Sequence, residues 1–540
     1  MFRSIRQTLS RTFQDRQKPE LDYRESWTSA TLQRLVKNEL GSPEVIVVSN
    51  REPYVHHRGA DGGRRVEVPA SGMVTALEPI VRACGGVWVA HGSGSADREV
   101  VDLHDRIRVP PEDPAYALKR VWLRPEEEQG YYCGFSNEGL WPLCHLAYVR
   151  PVFREADWDA YRSVNQQFAT SVIREARRPD PVILIQDYHL ALLARLIRHR
   201  KANATIAHFW HIPWPSAETF GVCPWKDEIM RHLLAADIVG FHTRQYCLNF
   251  LATAEQLLEC RVDHERMTVT LEGHVCRVSA YPISIEWPAP QLEGLPSVAV
   301  SRARIRRHHG IAAGVHLGVG VERWDFTKGI VERFHALESL LIRRPDLRGR
   351  VALLQVAAPS RTTLAVYQAL QSQTLAETER INARFGSSSW KPIVLVDRHQ
   401  SAEQVFELFR AADFCLVNSL HDGMNLVSKE FVAARDDEDG VLILSAFTGA
   451  ARELLEALLV NPFCISETAA AIEAAITMPR EERRERMRLM RRTVSDNNVY
   501  RWAGSMLLEL AQVRRRQSLP ADWRMSELRQ QSELAVARKA

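Results

Sequence analysis

The sequence predicts an α/β protein built from two doubly wound, Rossmann-like domains that face each other across a cleft. Three observations carry this. Short apolar runs alternate with helical patterns along most of the chain, as in parallel sheets covered on both faces. The alternation weakens once, over the proline-rich residues 288–296, and then restarts. A chain of 540 residues is too long for one ordinary core. The boundaries that follow are an N-terminal extension at 1–43, a first domain at 44–290 and a second at 291–480. Residues 481–517 form C-terminal helices able to pack back on the first domain, and 518–540 form a tail.

Each element has its own justification. Residues 1–43 are polar and helical in character. Their first eleven residues are basic but lack the apolar segment of a secretory signal. In the first domain, apolar runs at 45–49, 87–91, 182–186 and 205–210 read as strands. A loop rich in Gly and Arg spans 57–65, a helix runs from Met73 to Ala83, and another starts near Tyr188. In the second domain, runs at 316–321, 351–356, 392–396, 414–418 and 440–444 are strands followed by helical patterns. From Pro479 to Gln517 the chain is charged and helical, which reads as a solvated helix face.

The bulk numbers exclude several function classes. A net charge of +4 over this length gives no argument for nucleic acid or a membrane surface. No apolar run is long enough to span a bilayer. Nine cysteines without a Cys-x-x-Cys pair fit reduced thiols and a cytoplasmic protein. His208 and His211 lack the further ligands of a metal site, so neither a metal nor another cofactor is expected. The expected partners are small molecules. Nothing in the sequence decides between a monomer and a homo-oligomer.

Six clusters could carry chemistry. At 421–430 an apolar strand breaks at Asp422-Gly423 and a helix opens, exposing backbone N–H groups that favour a phosphate. Leu426 and Glu430 share one helix face, so the Glu430 carboxylate could accept hydrogen bonds from a pair of sugar hydroxyls. At 321–329, Arg323 and Lys328 sit on one loop after a strand. Two fixed cations there stabilise a leaving diphosphate more as its charge grows. His211 closes the strand at 205–210, and Asp187 and His189 follow the strand at 182–186. Arg51 follows the first strand, and Arg361 lies just past the strand at 351–356, placed to grip a phosphate. Residues 131–141, with Tyr132 and Trp141, combine aromatic and polar groups that suit a sugar.

Taken in order, these pieces resemble the trehalose-6-phosphate synthase family of retaining glycosyltransferases. The matching segments are VSNR (48–51), GLWP (139–142), QDYHL (186–190), HIPWP (211–215), VERWDFTKG (321–329), PSR (359–361), DGMNLVSKE (422–430) and GVLILSAFTGAA (440–451). The resemblance spans roughly 44–515. It implies the two-domain GT-B fold, with acceptor binding in the first domain and nucleotide-sugar binding in the second. The implied reaction moves glucose from a nucleotide diphosphate glucose, UDP-glucose above all, to glucose 6-phosphate, without a metal and with retention. Retention is attributed in this family to front-face attack, with the departing phosphate oxygen as base.

The resemblance also implies roles. Arg323 and Lys328 hold the donor diphosphate; Gly423, Met424, Asn425, Leu426, Val427 and Glu430 belong to the nucleotide end. Asp422 contacts the transferred glucose and His211 faces it, while Gly72 approaches the donor from the first domain. Arg51, Tyr132, Trp141, Asp187 and Arg361 line the acceptor pocket, with Arg51 and Arg361 on its phosphate. The chain departs from the family pattern at Ser71 (usually Gly), His91 (commonly Trp), Trp324 and Phe326 (Leu and Tyr) and His421 (usually Arg). The run Asn50–Tyr54 is closer to glucosylglycerol-phosphate synthases, which use glycerol 3-phosphate. That acceptor, or a catalytically silent sugar-phosphate sensor, are the alternative functions.

Overall fold

The computed structural model describes residues 27–41, 43–59, 62–69, 72–146 and 148–517. The basic N-terminal arm, Ser71 and the tail at 518–540 lie outside the described residues.

Two sheets carry the fold. The first has ten strands in the spatial order Arg261–Asp263, Thr268–Leu271, His274–Ala280, Ile238–Phe241, Thr205–Phe209, Val182–Gln186, Val45–Val48, Val87–His91, Tyr116–Val121 and Arg106–Val109. From His274–Ala280 to Tyr116–Val121 every pairing is parallel. The second sheet has six strands, all parallel: Ile393–Val396, Val351–Ala358, His316–Arg323, Phe414–Val417, Val441–Ser445 and Leu458–Val460. Central strands such as Val45–Val48, Val182–Gln186 and Phe414–Val417 are buried at every residue. Burial on both faces is why they read as unbroken apolar runs.

The first sheet departs from the all-parallel expectation at both edges. Arg106–Val109 runs antiparallel to its neighbour, and Thr268–Leu271 forms hairpins with the strands on either side. The turn at Glu272 and Gly273 places both residues at positive φ, 50° and 81°, which suits a two-residue hairpin. The loop expected at 57–65 is also part of a hairpin, in which Val55–Arg58 pairs with Arg64–Glu67. Arg64–Glu67 is exposed throughout, so no alternation of polarity marks it as a strand.

The chain ends are bound into the core. The described part of the N-terminal extension is a helix, Ser29–Glu39, capped by the Thr28 hydroxyl and burying Leu32, Leu35 and Val36. Trp27 lies so close to Gly504 that a Cβ there would come within 2.0 Å of the indole. The C-terminal stretch forms two helices, Arg480–Asp496 and Val499–Gln517. The first keeps the expected solvated face and buries Met487, Met490 and Val494. The second does not: Val499, Trp502, Met506, Leu507 and Leu510 are buried. Its Glu509 accepts from Ser279 Oγ (3.1 Å) and Tyr281 and pairs with Arg277. Arg514 pairs with Asp180 at 2.5 Å.

The chain therefore passes from the first sheet to the second at 281–297 and returns at 497–498. The two crossings are tied together: Val499 N–H donates to the Ile285 carbonyl (2.9 Å) and Tyr500 Oη to Glu286 (2.5 Å). No helix among the described residues is long and apolar enough to cross a membrane. All nine cysteines are unpaired, and no described group of His, Cys, Asp and Glu is arranged to hold a metal ion.

Candidate active site

Ligands of doubly wound sheets bind at the carboxyl ends of the strands. Here those ends from both sheets point at one cleft, and the expected site residues stand on them. Arg51 follows Val45–Val48, Asp187 follows Val182–Gln186, and His211 follows Thr205–Phe209. From the second sheet come Arg323, Arg361 and the segment 418–430. Tyr132 and Trp141 arrive differently, on and just after a wide π-helical run, Gln129–Leu140. Such wide turns are rare and collect at functional sites.

One side of the cleft is a cluster of cations. Arg51 Nη2 donates to the Tyr132 hydroxyl at 3.2 Å. Arg361 lies over the Trp141 ring at 4.3 Å, and its Nη1 donates to Asp325 Oδ2 (3.3 Å) and Tyr367 Oη (2.5 Å). Arg323, with 32% of its side chain exposed, meets Asp325 only at 4.0 Å. Burial, then the neighbouring Arg361 and Arg51, lower the Arg323 pKa. Tyr132 reports the same field: burial alone would raise its phenol, but Arg51, Arg361 and Arg323 pull it down to about 7. Arg51 forms no ion pair among the described residues. The cluster therefore has positive charge to spare, and a phosphate is the natural counter-ion.

Asp187 has a different environment. Its Oδ1 accepts from the Tyr188 amide (2.9 Å) and the His211 amide (3.2 Å), and its Oδ2 lies 3.6 Å from His189 Nδ1. Burial opposes ionisation, yet these donors hold the carboxyl at about 2. His211 Nε2 bonds Gln186 Oε1 at 2.8 Å, so Nε2 carries the proton and Nδ1 keeps its lone pair. Burial lowers this imidazole to about 4, which leaves it neutral at pH 7.

On the opposite side, Lys328 Nζ donates to Asp422 Oδ2 at 2.6 Å. Asn425 Nδ2 and Ser419 Oγ reach the same oxygen at 3.2 and 3.4 Å. Burial pushes the Asp422 carboxyl up, but Lys328 outweighs it and holds the group at about 2. Asn425, at φ 83°, caps the helix Leu426–Ala434 by accepting from the Ser428 amide. The amides of Leu426 and Val427 are the open first-turn donors of that helix. One turn on, the Glu430 carboxyl has no hydrogen-bonding partner among the described residues, and enclosure raises it to about 7.

The two lobes touch within this site. A Cβ on Gly423 would lie 2.4 Å from the His211 carbonyl, and one on Gly72 would lie 3.0 Å from Leu426 Cδ1. Tyr246 Oη donates to the Asp422 carbonyl (3.2 Å), and His421 Nδ1 to the His145 carbonyl (2.8 Å). His421, standing where a guanidinium is expected, thus serves as a neutral link between lobes; burial lowers its pKa.

All sixteen expected site residues lie in this arrangement, but not all face the cleft by side chain. Met424 is buried in the core, and its carbonyl accepts from the Ala450 amide. Asn425 spends its side chain on the cap and on Asp422. Among the participants that sequence reasoning left without a role are Gln186, Asp325, Tyr367, His145, Ser419 and Tyr246. Gln186 and Asp325 lie inside motifs already singled out, so their strand-end position was the available signal. Tyr367 and His145 lie in helices and carry no local signal.

The chain is similar to known proteins over most of its length. The model of glycosyltransferase family 20 matches residues 43–512. The trehalose-6-phosphate synthase of Mycobacterium avium is 38% identical over 480 residues, covering 87% of this chain and 96% of that protein. A solved E. coli structure of this kind, bound with UDP-2-fluoro glucose, superposes with a TM-score of 0.76 at 33% identity, covering 87% of this chain and 99% of the other. A Burkholderia xenovorans alpha,alpha-trehalose-phosphate synthase in complex with glucose-6-phosphate gives 0.74 at 31% identity, covering 86% and 99%. The chain has the GT-B fold and belongs to glycosyltransferase family 20, and it is a glycosyltransferase.

Proposed function

We propose that this enzyme transfers glucose from UDP-glucose to glucose 6-phosphate, with retention of configuration, releasing UDP and α,α-trehalose 6-phosphate. One observation carries the reading: Arg51, Arg361 and Arg323 cluster on one side of the cleft, the last two around the single carboxylate of Asp325, and Lys328 stands on the other side against Asp422. That leaves cations for both a phosphorylated acceptor and a nucleotide diphosphate, with Arg323 between them. The family relatives support the same pair of substrates.

In this reading residues 291–480 hold the donor. The amides of Leu426 and Val427 and the Glu430 carboxyl take the nucleotide end, with Gly423, Met424 and Asn425 shaping the loop. Arg323 and Lys328 hold the diphosphate. As the glycosidic bond breaks, negative charge grows on the phosphate oxygen, and these cations stabilise it at no reorganisation cost. Asp422, ionised, accepts from glucose hydroxyls, and neutral His211 meets the glucose without adding charge. Gly72 closes on the donor from the first lobe.

Residues 44–290 hold the acceptor, through Asp187, Tyr132 and Trp141 on the sugar and Arg51 on the phosphate; Arg361 reaches that phosphate from the second lobe. The hydroxyl of the acceptor attacks on the face from which UDP leaves, and its proton passes to the departing phosphate oxygen. A double-displacement route needs a free carboxylate nucleophile. Asp422 is tied to Lys328 and Asn425, and Asp187 to two amides, so neither suits that part. We place the enzyme in the cytoplasm.

The deciding experiment follows UDP release with UDP-glucose and, in turn, glucose 6-phosphate and glycerol 3-phosphate. Release with glucose 6-phosphate is expected. Release only with glycerol 3-phosphate would overturn the acceptor, and no acceptor-dependent release would leave the silent sensor.

A further inference from the structure

The run Asn50–Tyr54 contains an ionisable side chain that the reaction does not use. Arg51 and Glu52 are neighbours in the bend between the strands Val45–Val48 and Val55–Arg58, and their side chains part. Arg51 reaches the cleft and Glu52 turns into the interior, where it is 1% exposed. There it meets Arg120 and Asp97, which are also buried.

The bonds form a closed knot. Glu52 Oε2 accepts from Arg120 Nε at 2.8 Å, and its Oε1 accepts from the Ser93 amide (2.8 Å) and hydroxyl (3.2 Å). Arg120 Nη2 lies 2.8 Å from Asp97 Oδ1 and donates to the Tyr54 carbonyl at 2.9 Å; Nη1 donates to the Asp97 carbonyl at 3.0 Å. Asp97 accepts from the amides of His56 (2.8 Å) and Gly94 (2.6 Å). His56 Nδ1 lies 2.9 Å from Arg120 Nη2 and 3.3 Å from Asp97 Oδ1, and burial, then the Arg120 charge, lowers the pKa of this imidazole. One strand, Tyr116–Val121, thus holds both the 52–56 segment and the turn at 93–97 through a single guanidinium.

Arg51 is pinned from its other side as well. Ser49 Oγ donates to the Arg51 carbonyl (2.7 Å) and accepts from Trp88 Nε1 (2.8 Å). Tyr131 Oη donates to Asn50 Oδ1 at 3.1 Å. Buried charge is a poor way to gain stability, because apolar side chains of similar volume often do as well or better. What a fully bonded guanidinium adds is a fixed backbone.

We propose that Arg120, Glu52 and Asp97 are positioning residues that hold Arg51 on the phosphate of the acceptor. The proposal rests on the reading of Arg51 given above. The knot is electrically balanced when the two carboxyls share one proton against Arg120, with neutral His56 and, further out, Arg64 as the other facing groups. Burial first, then the bond to Asp97, raises the Glu52 carboxyl to about 8. Above that pH a surplus negative charge sits one residue from Arg51.

The test is calorimetric binding of glucose 6-phosphate and of glycerol 3-phosphate to the UDP-loaded full chain. The proteins are wild type, Arg51→Ala, Glu52→Leu and Glu52→Gln. Arg51→Ala is expected to weaken phosphate binding by about 30-fold or more and Glu52→Leu by about tenfold, with UDP affinity unchanged within about twofold. Glu52→Gln removes the titrating proton, keeps the Ser93 bonds at its carbonyl oxygen and loses the acceptor for Arg120 Nε, and is expected to bind within about threefold of wild type at pH 7. Ionisation of Tyr132 against Arg51 is common to both proteins, and wild type is expected to lose more acceptor affinity above about pH 8 than Glu52→Gln does. Should Glu52→Leu not fold, that pH comparison decides alone. Identical alkaline profiles, Glu52→Leu binding as wild type while Arg51→Ala does not, or an equal loss of UDP affinity would overturn the knot. Arg51→Ala binding as wild type would overturn the reading of Arg51. Wild type binding neither phosphate would overturn both.

Discussion

Replacing Lys328 by Met removes one ammonium and nothing else of comparable size, and its effects divide into two that can be measured apart. Lys328 Nζ lies 2.6 Å from Asp422 Oδ2, with side chains 12% and 14% exposed. Breaking a buried pair by removing one partner costs about 3–5 kcal/mol, and the residual exposure here puts the expected loss near the lower end, about 3 kcal/mol. The pH dependence has a definite sign. Asp422 is held at about 2, below the unfolded value. Its contribution to stability is therefore fully present above the unfolded pKa and lost as pH falls through about 2. Wild type and Lys328→Met should differ most at neutral pH, by urea denaturation, and converge in acid. Turnover should fall about 10²–10³-fold, as when one preorganised donor to a developing anion is removed. Adding Asp422→Asn removes the orphaned charge, so the double variant should recover most of the stability and none of the rate. A stability loss below about 1 kcal/mol would refute the pairing, and turnover within about tenfold of wild type would refute the diphosphate role.

Three further outcomes are expected. Arg361→Lys keeps the charge but loses the planar stack on Trp141 and the fork between Asp325 and Tyr367; KM for the acceptor should rise about tenfold, with KM for UDP-glucose unchanged in steady-state UDP release. Gly423→Ala puts a Cβ 2.4 Å from the His211 carbonyl, so the lobes must part; kcat/KM should fall about 10²-fold, with the melting temperature little changed. Glu430→Gln should raise KM for UDP-glucose about tenfold. Burial raises the Glu430 carboxyl to about 7, so the native state holds a proton that the unfolded chain has released. Wild-type stability should therefore decline between about pH 4.5 and 7 through this group, and chemical denaturation of Glu430→Gln should lack that component.

The parts legible in the sequence are those whose physics is local. Strands such as Phe414–Val417 and Val441–Ser445 are buried on both faces, so they appear as apolar runs, and their carboxyl ends then point to the site residues. Edge strands escape this logic. Arg261–Asp263 has only three residues, none of them buried, and Arg64–Glu67 is wholly exposed. The cleft-facing role of Tyr132 was legible from the mix of aromatic and polar residues at 131–141 and from the family resemblance, but not from periodicity, because a π-helical run has none that is distinctive in the sequence. The partners of Arg361 and His421 were not legible. Tyr367 and the His145 carbonyl reach them through tertiary packing, and in the case of His145 from the other lobe.

The two crossings between the lobes, at 281–297 and 497–498, lie side by side and are bonded to each other through Val499 and Tyr500. They act as the two pins of a door. A paired connection of this kind resists sliding and twisting of one lobe on the other more than it resists a swing about the pair, and the contact of Gly423 with the His211 carbonyl is the one such a swing would break.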